Sequence, residues 1–102
     1  SDLTRAAGLA FTKALSKEFG KDGILVNTVC IGTIKAKQHE TKAEKLGIPV
    51  ESLYAERVKN VPLGRVGEAE EAANVIAFLA SEAASYVTGT SVNMDGGASA
   101  VL

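Results

Sequence analysis

The chain has 102 residues, and its 11 basic and 12 acidic side chains leave a formal charge of −1. A chain of this length holds one domain at most, and its interspersed charges form no basic stripe of the kind that binds a phosphate backbone, so nucleic-acid binding is not expected. No apolar run approaches the roughly 20 residues that span a bilayer and no leader is recognisable, so we expect a cytoplasmic protein without a membrane partner.

The first predicted element is a helix over residues 3–19. Its apolar side chains recur every three or four residues and predict one wide buried face, formed by Leu3, Ala6, Ala7, Ala10, Phe11, Ala14, Leu15 and Phe19. Gly20 suits a left-handed cap at the end of this helix. The chain opens inside the helix without Met and offers only two convincing strands, so we expect the C-terminal portion of a larger domain.

The second element is a strand that follows a turn at Asp22 and Gly23. Residues 24–31 form an apolar, β-branched run that predicts a buried parallel strand. Cys30 lies in this run without a second cysteine, and we expect a small buried side chain in a reducing compartment. Gly32 ends the strand.

Residues 33–60 are rich in Lys and Glu, and they predict two short helices near 38–46 and 50–59. A loop over 62–67 then leads into a second long helix, whose predicted buried face is Ala72, Val75, Ile76, Leu79 and Ala83. Acidic residues at its start favour the positive end of the helix dipole.

A turn at Thr88 and Gly89 leads to a last predicted strand over 90–94. Asp95 is expected to shape the following turn through bonds from its side chain to the backbone, and the Gly-Gly pair after it suits a conformation that requires glycine. Strand, helix and strand joined in this way predict a crossover unit with parallel strands.

The run over 62–97, PLGRVGEAEEAANVIAFLASEAASYVTGTSVNMDGG, resembles the C-terminal part of the classical short-chain dehydrogenase/reductases, whose pattern is roughly PLGR-x-G-x-PEE, FLASD-x-ASYVTG and VDGG. The resemblance covers nearly the whole chain. It implies an α/β fold with a Rossmann-like, doubly wound parallel sheet, NAD or NADP as cofactor, and hydride transfer to or from a small-molecule carbonyl or alcohol. Residues 1–102 would be the C-terminal portion of one NAD(P)-binding domain, with 33–60 as its substrate lid.

Ligands of doubly wound sheets bind at the carboxyl ends of the strands, which directs attention to Ile31, Gly32, Thr33 and Ile34. The run VNTVCIG is similar to the family's VN-x-V-x-PG. In the family the following segment lays backbone groups against the nicotinamide carboxamide, so the resemblance implies that these four residues bind the cofactor. Ile31 stands in place of Pro, and Ala36 in place of a Thr that adds a side-chain contact. From spacing alone, a glycine after a strand indicates only a turn.

The start of the chain carries the second comparison with this family. Aligning TRAAGLAFTKALSKE with SKAALIGLTKALAKE places Arg5 at the catalytic Lys and Ser1 at the catalytic Tyr. The family's Tyr exchanges a proton with the substrate, and its Lys lowers the pKa of that Tyr and binds the cofactor ribose. Arg5 can donate hydrogen bonds to a ribose but differs from Lys in geometry. Either the site is altered, or the Tyr precedes residue 1; a solvated charge on the helix face is the other interpretation of Arg5.

Three ring side chains have simpler interpretations. His39 lacks a second ligand at metal spacing and is expected on the surface. Tyr54 is expected to pack the lid against its own helix, with a substrate contact as the alternative. Tyr86 is expected to pack at an edge with its hydroxyl outward.

Small residues on the first helix, together with the resemblance, imply a homo-oligomer, either a dimer or a tetramer. The family's glycine-rich pyrophosphate loop and catalytic Ser are not among these 102 residues, so the segment alone is expected to be inactive. Two alternatives stay open: a catalytically inactive relative that acts as a binding or regulatory module, and a structural fragment that serves only in oligomerisation. The sequence does not identify the substrate, because this lid has no distinctive polar trio, and the choice between NAD and NADP is set by residues after an upstream strand.

Overall fold

A computed structural model describes residues 2–99 of the chain, with only the backbone described at residue 2. The described residues form four α-helices and two strands, in the order α1 (Asp2–Phe19), β1 (Thr28–Ile31), α2 (Lys37–Leu46), α3 (Val50–Arg57), α4 (Ala69–Leu79) and β2 (Ser91–Met94). Short 3-10 turns occupy Gly20–Asp22, Val58–Asn60 and Glu82–Ala84. None of the helices over 2–99 has the length and apolar character needed to cross a membrane.

The strands β1 and β2 are hydrogen-bonded neighbours in a two-stranded sheet within the described part of the chain. The Thr28 N–H donates to the Thr90 carbonyl at 3.0 Å, and the Gly32 N–H donates to the Met94 carbonyl at 2.9 Å. Each donor precedes its acceptor by the same number of residues, which is the register of a parallel pair. The predicted parallel arrangement is confirmed.

β1 is shorter than predicted: it begins at Thr28, and residues 24–27 lie outside the strand. Here one backbone bond, from the Gly89 N–H to the Val26 carbonyl at 2.7 Å, is supplemented by side-chain bonds. The Val26 N–H donates to Thr88 Oγ1 at 2.9 Å, and the side chain of Asn27 donates to the Val87 carbonyl and accepts from the Thr90 N–H. The predicted strand over 90–94 likewise begins one residue later, at Ser91.

α1 ends at Phe19 as predicted, but the left-handed cap at Gly20 is wrong. Gly20 begins a 3-10 turn, and the left-handed residue is Gly23, with φ 76°. Its N–H donates to the Gly20 carbonyl at 3.0 Å. The helix therefore tightens by one turn before the chain reverses, and the glycine required at the reversal is the one in the Asp22-Gly23 pair.

The predicted buried face of α1 is also wrong. Leu3 is 81% exposed and Phe11 is 65% exposed, whereas the buried side chains of α1 are Thr12 and Ser16. Thr12 Oγ1 donates to the Gly8 carbonyl and also bonds to the Thr28 hydroxyl, and Ser16 Oγ donates to the Lys13 carbonyl. Because both hydroxyls have hydrogen-bond partners, they are buried at little cost. Of the predicted apolar stripe, Leu15 and Phe19 are half-buried and the other members are exposed.

α2 and α3 lie close to the predicted bounds and form a helix pair with its own small core. The buried residues of the pair are His39, Ala43 and Leu53. The prediction of a surface His39 is therefore wrong: its ring packs edge-on against Tyr54, with ring centroids 5.7 Å apart. Tyr54 is half-buried in this contact, as expected for a ring that packs the pair together.

The predicted buried face of α4 is mostly absent. Ala72, Val75 and Leu79 are half-buried, but Ile76 is exposed. Ala83 lies beyond α4 in the 3-10 turn Glu82–Ala84 and is exposed, whereas Ala84 is fully buried. Tyr86 is fully exposed, so the expected packing of its ring is wrong.

The chain divides into two compact units. Among the described residues, one unit contains 2–30 together with Val75–Val92, and the other contains Ile31–Asn74 together with 93–99. The first unit holds α1 and most of β1. The second holds the helix pair α2–α3 and the segment that follows β1.

Candidate functional site

The segment directly after β1 is held against the turn that follows β2. The Gly32 N–H donates to the Met94 carbonyl at 2.9 Å. A Cβ atom at Gly32 would lie 2.9 Å from the Cβ of Asp95 and 3.0 Å from its Cα. Neither of those atoms is the movable end of a side chain, so Gly32 is required by the close approach of the two backbones.

The Asp95 turn forms as predicted. Asp95 Oδ1 accepts from the Gly97 N–H at 3.0 Å, and Oδ2 accepts from the Ser99 N–H at 3.1 Å. Gly96 and Gly97 both have positive φ, at 63° and 89°. The turn contacts the loop before α4, where the Leu63 N–H donates to the Gly96 carbonyl at 3.1 Å. Asp95 is therefore a structural residue that fixes the surface behind Gly32.

Thr33 and Ile34 are fixed by a short parallel bridge to Gly67. The Gly67 N–H donates to the Thr33 carbonyl at 3.0 Å, and the Lys35 N–H donates to the Gly67 carbonyl at 2.9 Å. The Ile34 side chain is buried, and a Cβ atom at Gly67 would lie 3.1 Å from its Cγ1. Ile34 therefore contributes its side chain to the local core and only its backbone to any surface.

The surface that this segment presents is formed by Ile31 and Gly32, which are both exposed, and by Thr33, which is half-buried. The N–H groups of Thr28 and Gly32 point toward β2. Because successive N–H groups of a strand alternate in direction, the Ile31 N–H points toward the opposite edge of β1. A proline at this position would offer no such donor.

Two ion pairs flank the bridge. Lys35 Nζ lies 2.8 Å from Glu68 Oε1, and the hydrogen bond and charge of Glu68 raise the pKa of Lys35. The guanidinium of Arg65 binds both carboxylate oxygens of Glu71, at 2.7 and 2.9 Å. The hydrogen bonds from Arg65 and from the Glu68 N–H hold the pKa of Glu71 at about 2.

Arg5 lies on α1, in the first unit, with an exposed side chain. Ser1 lies outside the described residues.

Cys30 is half-buried instead of buried, with its Sγ 3.5 Å from Ser91 Oγ. No cluster of three potential metal ligands occurs within residues 2–99. Of the predicted site residues, the structure thus brings together Ile31 to Ile34, in the second unit.

Sequence analysis missed the residues that hold this segment in place: Gly67, Lys35 and Glu68. Their contacts join positions that are more than 30 residues apart in the chain, and neither periodicity nor local spacing reports such pairs. The role of Glu71 could have been recognised from the sequence, because its place in α4 is that of a capping residue. Glu71 is the third residue of α4 and accepts from the Glu68 N–H at 2.9 Å, which is half of a capping box.

Residues 2–99 match the family profile described as enoyl-(acyl carrier protein) reductase. The chain is 40% identical to the 3-oxoacyl-[acyl-carrier-protein] reductase FabG of Aquifex aeolicus, over 92% of this chain and 35% of that protein. The chain therefore spans about a third of the length of this curated relative.

Two solved structures are similar in fold as well as sequence. The L-sorbose reductase of Gluconobacter frateurii, complexed with NADPH and L-sorbose, has a TM-score of 0.83 and 31% identity over 98% of this chain and 40% of that chain. An NADPH-bound short-chain oxidoreductase of Pseudomonas aeruginosa PAO1, described as containing an atypical catalytic center, has a TM-score of 0.81 and 32% identity, over 96% of this chain and 38% of that chain.

Proposed function

The chain belongs to the short-chain dehydrogenase/reductase family, and from this we propose that the intact protein is an oxidoreductase that uses NAD or NADP to transfer a hydride to or from a carbonyl or alcohol. Its fold is the Rossmann-type α/β fold of its structural neighbours. One observation carries the proposal. The backbone at the carboxyl end of β1 is fixed on two sides, by β2 and by Gly67, while Ile31 and Gly32 stay exposed.

These residues fit a nicotinamide ring. Exposed apolar surface at Ile31 and a glycine without a side chain accept a flat ring, and a strand end offers backbone donors and acceptors to a carboxamide. We propose that Ile31, Gly32, Thr33 and Ile34 hold the cofactor mainly through backbone groups, since Ala36 has no hydroxyl to add. The cofactor, when bound, supplies or accepts the hydride. Arg5 is proposed to donate hydrogen bonds to its ribose.

The proposal for the whole chain is that it forms the C-terminal portion of a single NAD(P)-binding domain, with 33–60 as the substrate lid. The helix pair α2–α3 supports the lid assignment, because it has its own small core and lies directly after the cofactor-binding segment. The names of the relatives support a carbonyl as the group that is reduced. The half-buried, unpaired Cys30 supports a reducing compartment such as the cytoplasm.

A homo-oligomer, either a dimer or a tetramer, is part of the same proposal. The support is the family resemblance together with the small residues on α1, Ala6, Ala7, Gly8 and Ala10, which allow close helix–helix approach. Leu3 and Phe11 on the same helix are exposed and leave apolar surface for the rest of the domain or for a second copy to cover.

Calorimetry of the intact protein with NAD and with NADP tests the cofactor proposal. We expect heat of binding with at least one of them, followed by a change in cofactor absorbance with a panel of carbonyls and alcohols. Absence of heat with both would remove the oxidoreductase proposal. Binding without turnover would favour the second candidate, an inactive relative that retains cofactor binding. The observation that favours this candidate is the Arg at position 5, where the family has its catalytic Lys.

A further inference from the structure

The ion pair between Lys35 and Glu68 lies where the segment after β1 passes into the helix pair α2–α3. Lys35 Nζ and Glu68 Oε1 are 2.8 Å apart. One residue before Lys35, the backbone is fixed by the bridge between Ile34 and Gly67. Two residues after it, α2 begins at Lys37. The pair therefore links the loop before α4 to the point from which the helix pair extends.

The Glu68 end of this link rests on an ordered backbone. The Glu68 N–H donates to Glu71 Oε1 at 2.9 Å, and Glu71 is itself bound by both terminal nitrogens of Arg65. Bidentate pairs of this kind restrict geometry more than a single contact does. The backbone from which the Glu68 carboxylate reaches Lys35 is therefore held in place.

The Lys35 end lies beside a helix terminus that lacks a side-chain cap. Ala36 is the N-cap of α2, with the extended backbone (φ −157°, ψ 158°) typical of that position, but it has no side-chain capping group. Its carbonyl accepts from the His39 N–H at 3.0 Å, so the cap residue holds the first turn of α2 through its backbone alone. The neighbouring ion pair is placed to hold this turn in addition.

We propose that the Lys35–Glu68 ion pair is a latch that holds the start of α2 to the loop before α4, and that it thereby keeps the helix pair and Ile31 to Ile34 in the arrangement that binds cofactor. Lys35 is thus a positioning residue. The part of this proposal that concerns cofactor rests on the proposed function, whereas the part that concerns the helix pair does not. Because the two side chains are 50% and 54% exposed, the effect is modest and weakened by salt.

Amide hydrogen exchange of the intact protein tests the latch without any ligand. Lys35→Glu and Glu68→Lys each place like charges together, and we expect both variants to exchange the amides of α2 about two- to five-fold faster at low ionic strength. The charge swap that combines both substitutions restores an attractive pair and should restore the rates. Lys21→Glu, the same charge change at an exposed lysine outside the lid, is the control and should leave α2 unchanged.

The latch is overturned if the single variants exchange at the rate of the unaltered protein, or if the charge swap fails to restore slow exchange. The cofactor part is tested by calorimetry with NADPH and NADH. We expect about two- to five-fold weaker binding in the single variants and recovery in the charge swap, with KM raised and kcat little changed. Equal affinity in all variants would overturn this part. If the unaltered protein binds neither cofactor, the proposed function fails, while the exchange data still decide the latch.

Discussion

Arg65 and Glu71 form a bidentate ion pair at the start of α4, and the same Glu71 carboxylate accepts the backbone N–H of Glu68. One side chain thereby joins the loop before α4 to the first turn of the helix. Since the four N–H groups at a helix start have no partners inside the helix, a carboxylate in this position stabilises both the cap and the dipole.

The depressed pKa of Glu71 predicts a stability difference that depends on pH. Its pKa is about 2 in the folded protein against an ordinary value of 4.5, so the ionised form stabilises the fold above the ordinary value. This contribution is lost as pH falls from about 4.5 to about 2. Urea unfolding should show Glu71→Gln to be less stable than the unaltered protein at neutral pH, and the two should converge near the folded pKa. A difference that persists at the lowest pH would contradict this account.

Gly32→Ala should destabilise the protein by about 1–3 kcal/mol, because the added methyl group meets the Cβ and Cα of Asp95. The matched control is Gly8→Ala on α1, where an added Cβ meets nothing within 4 Å. Inside a helix that substitution should stabilise by about 0.5–1 kcal/mol. Unfolding free energies of the two variants should therefore change in opposite directions, and equal changes would refute the close approach at Gly32.

Gly89→Ala should destabilise the protein for two reasons, an unfavourable left-handed backbone and a close contact of the added Cβ. Gly64 has the same backbone without the contact, so Gly64→Ala measures the first cost alone. Gly89 has φ 73°, and its Cβ would lie 2.6 Å from Ser16 Oγ. Gly64 has φ 74°, but its Cβ would meet nothing within 4 Å. Gly64→Ala should cost about 1–2 kcal/mol from the backbone alone, and Gly89→Ala should cost more. Thermal unfolding that ranks them in the reverse order would exclude the contact with α1.

Ala36→Thr should strengthen α2, because Ala36 already has the backbone of an N-cap and lacks only the capping oxygen. The expected gain in unfolding free energy is about 1 kcal/mol. If the proposed function is correct, the same hydroxyl also contacts the cofactor, and calorimetry should show tighter binding. Ala36→Ser is a second variant with a capping oxygen, and a loss of stability in both variants would contradict the assignment of the N-cap.

Phe11→Glu tests the proposed homo-oligomer, because this aromatic side chain is 65% exposed on α1. A charge at a buried interface is costly, so the variant of the intact protein should dissociate toward monomers in analytical ultracentrifugation. Lys17→Glu, an exposed charge on the same helix, is the control. A monomeric unaltered protein would refute the proposed association outright.

Element type and order were predictable from the sequence, since each helix and strand carries a local signal. The bounds of α2 and α3 follow from the punctuation at Gly47 and Pro49, and Gly47 does adopt the left-handed cap, with φ 69°. The parallel direction of β1 and β2 followed from the helices between them. The turn at Asp95 was predictable because its bonds run only two and four residues along the chain.

Burial was predicted poorly, and for a physical reason. Periodicity shows which face of a helix is apolar, but it cannot show which face its neighbours cover. On α1, Thr12 and Ser16 are buried at little cost because their hydroxyls bond to carbonyls of the same helix, whereas the apolar Phe11 is exposed. His39 was assigned to the surface because it lacks a second ligand at metal spacing, yet its ring packs against Tyr54 from another helix.

The two tyrosines of the chain lie in contrasting environments. Tyr86 is fully exposed, and replacing it by Phe would leave Tyr54 as the tyrosine of this chain. Tyr54 packs edge-on against the His39 imidazole. Its emission should therefore change when α2 and α3 separate, which gives an optical signal for motion of this helix pair in solution.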